Sequence, residues 1–234
     1  MYKRILLKLS GEALAGDGEK AFDNNVIGGI VNQIKTIINK GIQVSLVIGG
    51  GNFWRGRSSN PEMDRCRADQ IGMLATVMNA LYVADFLRQK GLSAVVMTPF
   101  SVGTMTEMFS KDLALKYFSE NKIIIFAGGI GHPFFSTDTV TALRASELQA
   151  DAILYAKSID GVYNDDPAKN PSAIKYDTIK CKEIIENNLK VIDIAAANLC
   201  FEQSIPVIIF GLLEDNSIVK AATGEKIGTL VTVE

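Results

Sequence analysis

The stretch "IQVSLVIGGGN" (42–52) decides the fold class. Seven mostly apolar residues run on without alternation, which is how a strand covered on both faces reads. They end in three glycines, which let the backbone turn sharply or approach another group closely. The same grammar recurs at "RILLKL" (4–9) before "SGE", and at "KIIIFA" (122–127) before "GGIG" (128–131). Further short apolar runs are "SAVVM" (93–97), "DAILYA" (151–156) and "IPVIIF" (205–210), and the closing "GTLVTVE" reads as a last strand.

Helical patterns separate these runs. In 69–90, Ile71, Leu74, Ala75, Met78, Leu81 and Tyr82 follow the spacing of one helix face, and Gly91 stands just past the end. Weaker patterns cover about 23–40, 110–120, 137–149, 179–188, 193–203 and 216–222. Strand and helix alternate throughout, which predicts an α/β protein with a mainly parallel sheet and helices on both faces. No repeat, low-complexity segment or flexible linker breaks the chain. The proline-bearing stretch "DDPAKNPSAIKYD" (165–177) is the one long irregular loop, and such loops are often functional.

Composition narrows the chemistry. The 234 residues are enough for one domain or two tightly joined lobes. With 47% hydrophobic and 21% charged residues, the balance is that of an ordinary globular protein. A formal charge of -2 gives no broad basic field, so nucleic acid is not the expected partner, and any phosphate must be held by local devices. Cys66, Cys181 and Cys200 are unclustered, which argues for a reducing compartment and against a structural zinc site; no metal ligand set is expected. The opening "MYKRILLKLSGE" is too short for a signal-peptide core, and no apolar stretch approaches the roughly 20 residues of a membrane span. A cytoplasmic location is the expectation.

Three glycine turns at the carboxyl ends of strands form a natural phosphate cradle. None matches the GxxxxGK[ST] or GxGxxG fingerprints. Lys8 lies inside an apolar strand two residues before Ser10 and Gly11. It either reaches a solvated edge or, if the strand is covered, needs an anionic partner, since an unpaired buried ammonium is costly. Arg55 could fork onto phosphate oxygens, or with Arg57 simply form a polar loop. Asp69 opens the long helix as a cap, or accepts from ribose hydroxyls. Asp138 belongs to a helix's first turn or orients the lysine, and Asp193 likewise starts a helix. Tyr163 could stack on a base; Asp166 meets a hydroxyl or begins a turn before Pro167. His132 is the only histidine, and no nucleophile arrangement assembles around it. Phosphoryl transfer to an ionised phosphate oxygen needs no such base; it needs in-line placement and positive charge.

"KRILLKLSGEALAG", "VIGGGN", "GMLATVMNAL", "GGIGHPFFSTD" and "DGVYNDDPAKNP" together resemble the bacterial uridylate kinases of the amino acid kinase family, over nearly the whole chain. The resemblance implies a three-layer αβα sandwich of 1–234, with a nucleoside-monophosphate lobe over about 1–127 and an ATP lobe over about 128–234. It implies a homohexamer that makes UDP from UMP and Mg-ATP. Lys8, Arg55 and Asp138 would be catalytic. Lys8, Leu9, Ser10, Gly11, Gly51, Arg55, Lys157, Tyr163 and Asp166 would contact ATP. Gly50, Asp69, Ile130, Gly131, His132, Pro133, Phe134, Phe135, Ser136 and Thr137 would meet UMP. Two departures stand out. This chain has "KSI" (157–159) where many members have Thr-Lys before "DGV", which leaves the contact at Lys157 or Ser158 open. "DGEKAFD" (17–23) replaces a Gly-Phe-Gly turn, and the helix at Ala84 lacks an arginine carried by some GTP-responsive members. GTP activation is therefore not expected, whereas UTP competition in the UMP pocket is.

Overall fold

The computed structural model describes residues 1–16, 20–54, 62–187, 189 and 191–233. Among the described residues nine strands form one sheet: β1 (Arg4–Leu9), β2 (Gln43–Ile48), β3 (Ala94–Thr98), β4 (Glu107–Met108), β5 (Ile123–Phe126), β6 (Ala152–Lys157), β7 (Thr178–Lys180), β8 (Val207–Gly211) and β9 (Thr229–Thr232). Their spatial order is β4-β3-β5-β2-β1-β6-β8-β9-β7. Every pairing is parallel except β8 with β9. Strand β1 lies inside the sheet, with Lys8 opposite Val47 of β2 on one side and Tyr155 of β6 on the other.

Helices cover both faces, because each apolar strand has two sides to bury. On one face lie α1 (Gly11–Ala15), α2 (Asn24–Asn39), α3 (Arg65–Gln89) and, late in the chain, α8 (Ser217–Thr223). On the other lie α4 (Lys111–Ser119), α5 (Thr137–Glu147), α6 (Cys181–Glu186) and α7 (Ile194–Glu202). The period of two divides β1 between them: Ile5, Leu7 and Leu9 enter the first core, Leu6 the second. Lys8 therefore faces the side of α5 and α7. Helix α2 shows how local sequence sets an element. Asp23 caps it by accepting from the amides of Asn25 and Val26, and Ile27, Ile30, Val31, Ile34 and Ile37 form its buried stripe. Truncating fully buried Ile34 to alanine would cost about 2–5 kcal/mol.

The α/β class, the parallel sheet and the two-sided helical cover are as the sequence predicts. Four readings need correction. The "SGE" turn opens the short helix α1, capped by Ser10, whose hydroxyl oxygen accepts from the Ala13 amide. The pattern at 179–188 begins with strand β7, paired to β9, because tertiary pairing overrides local propensity there. Helix α3 starts at Arg65 under the cap of Asp64, so Asp69 sits in its second turn rather than at its opening. The stripe Ile71, Leu74 and Met78 is exposed (Leu74 52%), while Ala75, Val77, Ala80, Val83, Ala84 and Leu87 face the core. Helix α3 is apolar on more than one side, and small alanines let it approach the strands closely. It is also 25 residues long and apolar enough to cross a membrane by composition, a qualification to the sequence reading, although half of the stretch is buried inside the protein.

Candidate active site

The carboxyl ends of β1, β2, β5 and β6 share one rim, because parallel strands all point the same way. At that rim Lys8 Nζ stands 2.9 Å from Asp138 Oδ1, with the two side chains only 11% and 14% exposed. Among the described residues Oδ1 accepts no other bond. The anion that a covered lysine requires is thus supplied by the first turn of α5, and the edge reading of Lys8 is excluded. The Lys8 ammonium also lies 5.8 Å from the ring centre of Tyr155, and Lys157 Nζ lies 5.6 Å from the same ring. Tyr155 and Lys157 are two residues apart on β6, so both project to the Lys8 side of the sheet. Lys157 Nζ donates to the Val191 carbonyl. Burial holds the Lys157 ammonium below its ordinary lysine range; Asp138 pulls it up and Lys8 pushes it down. Burial likewise pushes the Tyr155 phenol well above its ordinary value.

Two helix starts converge on this spot. Ser136 caps α5, its oxygen accepting from the amides of Asp138 (2.9 Å) and Thr139 (3.4 Å). Its hydroxyl in turn donates to Asp193, as does that of Thr139 at 2.9 Å. Asp193 caps α7 by accepting from the Ala196 amide at 2.7 Å. One carboxylate therefore ties both starts together, and both helix dipoles present their positive ends here. Lys157, Asp138 and Asp193 line a cleft of about 720 Å³, together with Phe134, Phe135 and Asp69.

A second, smaller cavity of about 160 Å³ adjoins the cleft, sharing Asp69 and Phe135 with it. Its walls include Gly50, Gly129 and Thr137. Gly50 has no room for a side chain, since a Cβ would come within 2.8 Å of the Ala75 Cβ. Asp69 Oδ2 accepts from Arg65 Nε (2.9 Å) and from the Phe134 amide (2.8 Å), and so stitches the 128–138 turn to α3. That bond holds Phe134 at φ 73°, a left-handed conformation that a bulky residue rarely adopts. Phe134 and Phe135 are both exposed at the mouth, and Arg65 lies 5.3 Å over the Phe134 ring. Ile130, Gly131, His132 and Pro133 build the turn without lining either cavity.

The first two glycine turns meet beside β1. A Cβ on Gly11 would come within 2.5 Å of the Gly49 carbonyl and 2.7 Å of the Gly51 nitrogen, so only glycine lets these backbones touch. The Gly49 amide donates to Leu9 O at 3.0 Å, fixing the end of β1 to the second turn. Tyr163 and Asp166 follow β6 but line neither cavity. The Tyr163 hydroxyl donates to Asp160 at 2.8 Å, and Asp166 Oδ2 lies 3.3 Å from Lys169 Nζ. Arg55 and Arg57 lie outside the described residues. The sequence reading did not single out Asn52 or Asn79, although a polar residue within "GMLATVMNAL" is the kind of signal that marks a buried contact.

A central parallel sheet, glycine turns and a lysine–aspartate pair at its rim define a phosphate-handling α/β enzyme scaffold. A profile of the amino acid kinase family matches residues 3–211, and the chain belongs to that family. Among individual proteins it is similar to a uridylate kinase of Streptococcus thermophilus (strain ATCC BAA-250 / LMG 18311), 46% identical over 99% of this chain and 95% of the relative. Among solved structures it is similar to the UMP kinase of Bacillus anthracis, at 37% identity with a TM-score of 0.96, covering 100% of this chain and 97% of that one. It is also similar to the UMP kinase of Ureaplasma parvum, at 34% identity with a TM-score of 0.93, covering 99% of each.

Proposed function

We propose that this chain is a UMP kinase, a phosphotransferase that moves the γ-phosphoryl group of Mg-ATP to UMP to give UDP and ADP. The observation that carries the reading is the buried Lys8–Asp138 pair, whose aspartate lines the larger of two adjoining cavities. Its identity of 46% to a uridylate kinase along its whole length supports the choice of acceptor.

In this reading the N–H groups around Ser10, Gly11 and Gly51 cradle donor phosphates at the end of Leu9. Lys8 and Lys157 face the moving phosphoryl group, where charge accumulates in the transition state. Asp138 is a positioning residue that holds Lys8, and Asp193 aligns the two helix starts. Gly50, Asp69 and the 130–137 segment receive UMP, with Phe135 and Thr137 at the smaller cavity. Arg55 is assigned to the phosphates, and Tyr163 and Asp166 to the ATP side, by the resemblance alone. The lobes divide at about residue 127. The acceptor oxygen is ionised near neutral pH, so no general base is needed, consistent with His132 lying off both cavities.

The residues fit a Mg²⁺ ion carried in by the nucleotide. Among the described residues no three His, Cys, Asp or Glu side chains gather to hold a metal, yet Asp138 and Asp193 both line the cleft. One or two carboxylates plus substrate phosphates are what such an ion uses. Asp138 and Asp193 are the residues that would hold it, and when bound it neutralises charge on the donor phosphates.

A homohexamer is the assembly we favour, supported by the exposed apolar stripe Ile71, Leu74 and Met78. We place the protein in the cytoplasm, with UTP competing for the UMP pocket and no activation by GTP. The test is ADP and UDP formation by the purified protein with Mg-ATP and UMP, alongside CMP, dUMP, N-acetylglutamate and carbamate. UDP should form fastest. Turnover on a carboxylate or carbamate with none on UMP overturns the reading, and so does nucleotide binding without any turnover.

A further inference from the structure

Asn79 is fully buried in the middle of α3, where an amide without partners would be costly. Its Nδ2 donates to the Gly49 carbonyl at 2.6 Å and to Asn52 Oδ1 at 2.8 Å. Its Oδ1 accepts from Asn52 Nδ2 at 2.9 Å, and the same Asn52 nitrogen donates to the Ala21 carbonyl at 2.9 Å. Each amide group uses both its N–H bonds and its oxygen. This closed ring of bonds holds three separate segments: α3, the 49–52 turn and the connector into α2.

Apolar packing at this point would fill the volume without fixing a direction. Four directed bonds fix the turn in one place. What they fix is a turn that walls the smaller cavity on one side and meets the end of β1 on the other. Gly50 walls the smaller cavity, and Gly51 nitrogen lies where a Cβ on Gly11 would meet it, at 2.7 Å, beside the end of β1. The Asn52 oxygen itself lies 2.5 Å from that Cβ position, so the amide pair also sets how close α1 approaches the turn.

We infer that the reciprocal Asn52–Asn79 amide pair positions the 49–52 turn so that its two sides present donor and acceptor phosphates to each other in line. Both are positioning residues, since neither lines the cleft or the smaller cavity beside it. The inference rests on the kinase reading, and it predicts an effect on rate beyond any effect on folding. A displacement of about 1 Å in such a turn can cost on the order of 100-fold in rate.

The test is a double-substitution cycle with Asn52→Ala and Asn79→Ala, read as kcat and as KM for each substrate, with Asn79→Leu as a volume-keeping variant. Thermal melts and amide hydrogen exchange of residues 49–52 are measured on the same proteins. Each single variant should lose about 10- to 100-fold in kcat, and the double variant should lose no more than either single, because one broken ring frees the turn. The 49–52 amides should exchange faster in all of them while the β1 amides keep their protection. Unchanged kcat, or losses that multiply in the double variant, would overturn the inference. If the variants do not fold, unchanged exchange at 49–52 in the less disruptive Asn52→Asp protein would overturn it as well. An inactive wild-type protein with loosened turns in the variants would instead count against the kinase reading and leave the positioning role standing.

Discussion

Replacing Lys8 by Met and Asp138 by Leu, singly and together, separates what this pair does for folding from what it does for chemistry. At 2.9 Å and an effective dielectric of about 20, the gross attraction between the two charges is about 6 kcal/mol. Desolvating two side chains that are 11% and 14% exposed cancels most of it. Either single substitution leaves the other charge buried without its 2.9 Å partner, which typically costs about 3–5 kcal/mol. That is a third or more of the ~5–15 kcal/mol that holds a domain folded. The double variant removes both charges and should return to within about 1 kcal/mol of the wild type, or exceed it. Turnover should not return, because the ammonium proposed to face the phosphoryl group is gone; a loss of about 100- to 1000-fold in kcat is expected. Urea midpoints and UDP formation, measured on all four proteins, decide the matter. A double variant as unstable as the singles would refute the compensation argument, and one that keeps wild-type kcat would remove Lys8 from the chemistry.

Further outcomes can be checked independently. Asp69→Ala removes the acceptor of the Phe134 amide and should raise KM for UMP by roughly 10- to 100-fold. Its melting temperature should change little, since Asp64 caps α3; the reverse pattern would make Asp69 a structural residue. Lys157→Met should lower kcat without loss of UMP affinity, and an unaltered kcat in steady-state kinetics would exclude it from the phosphoryl pocket. Leu74→Asp combined with Met78→Asp should shift sedimentation from the proposed hexamer to a smaller species, whereas unchanged sedimentation would count against this stripe as its interface. The Tyr117 phenol is pushed up to about 12, first by its hydrogen bond to Glu107 and then by burial. Its contribution to stability is complete below pH 10 and is lost as pH rises from 10 towards 12. Tyr117→Phe should flatten that decline in alkaline urea titrations, and parallel curves would contradict it.

Most of the fold is legible in the sequence because continuous apolar runs have few uses outside a doubly covered sheet. "RILLKL" and "IQVSLVI" map onto β1 and β2 within a residue. The elements that escaped are those whose stability is not local. Strand β4 has two residues and β7 three, and both exist only through their partners β3 and β9. Periodicity could not select the buried side of α3, where Ile71 and Ala75 lie on the same stripe yet only Ala75 is small enough for close approach to the sheet. Lys8 and Asp138 were legible as candidates because a charge within an apolar strand demands an explanation. Their pairing was legible only as one of two readings of Asp138, since nothing local decides whether residues 130 positions apart come together. The Asn52–Asn79 ring was hidden for a related reason: an asparagine reads as a surface or turn residue until its burial is known.

The place of β1 inside the sheet has a bearing on how activity fails under heat. Strand order puts β2, β5, β3 and β4 to one side of it and β6, β8, β9 and β7 to the other. Fraying begins at rims and long connections, so β4, β7 and the 158–177 excursion should come loose well before the ammonium of Lys8 loses its anchorage. Warming should then erode nucleotide affinity first and phosphoryl transfer only with the collapse of the whole molecule. A regulator that works by loosening the fold would accordingly act on its periphery, whereas a competitor need only fill a nucleotide pocket.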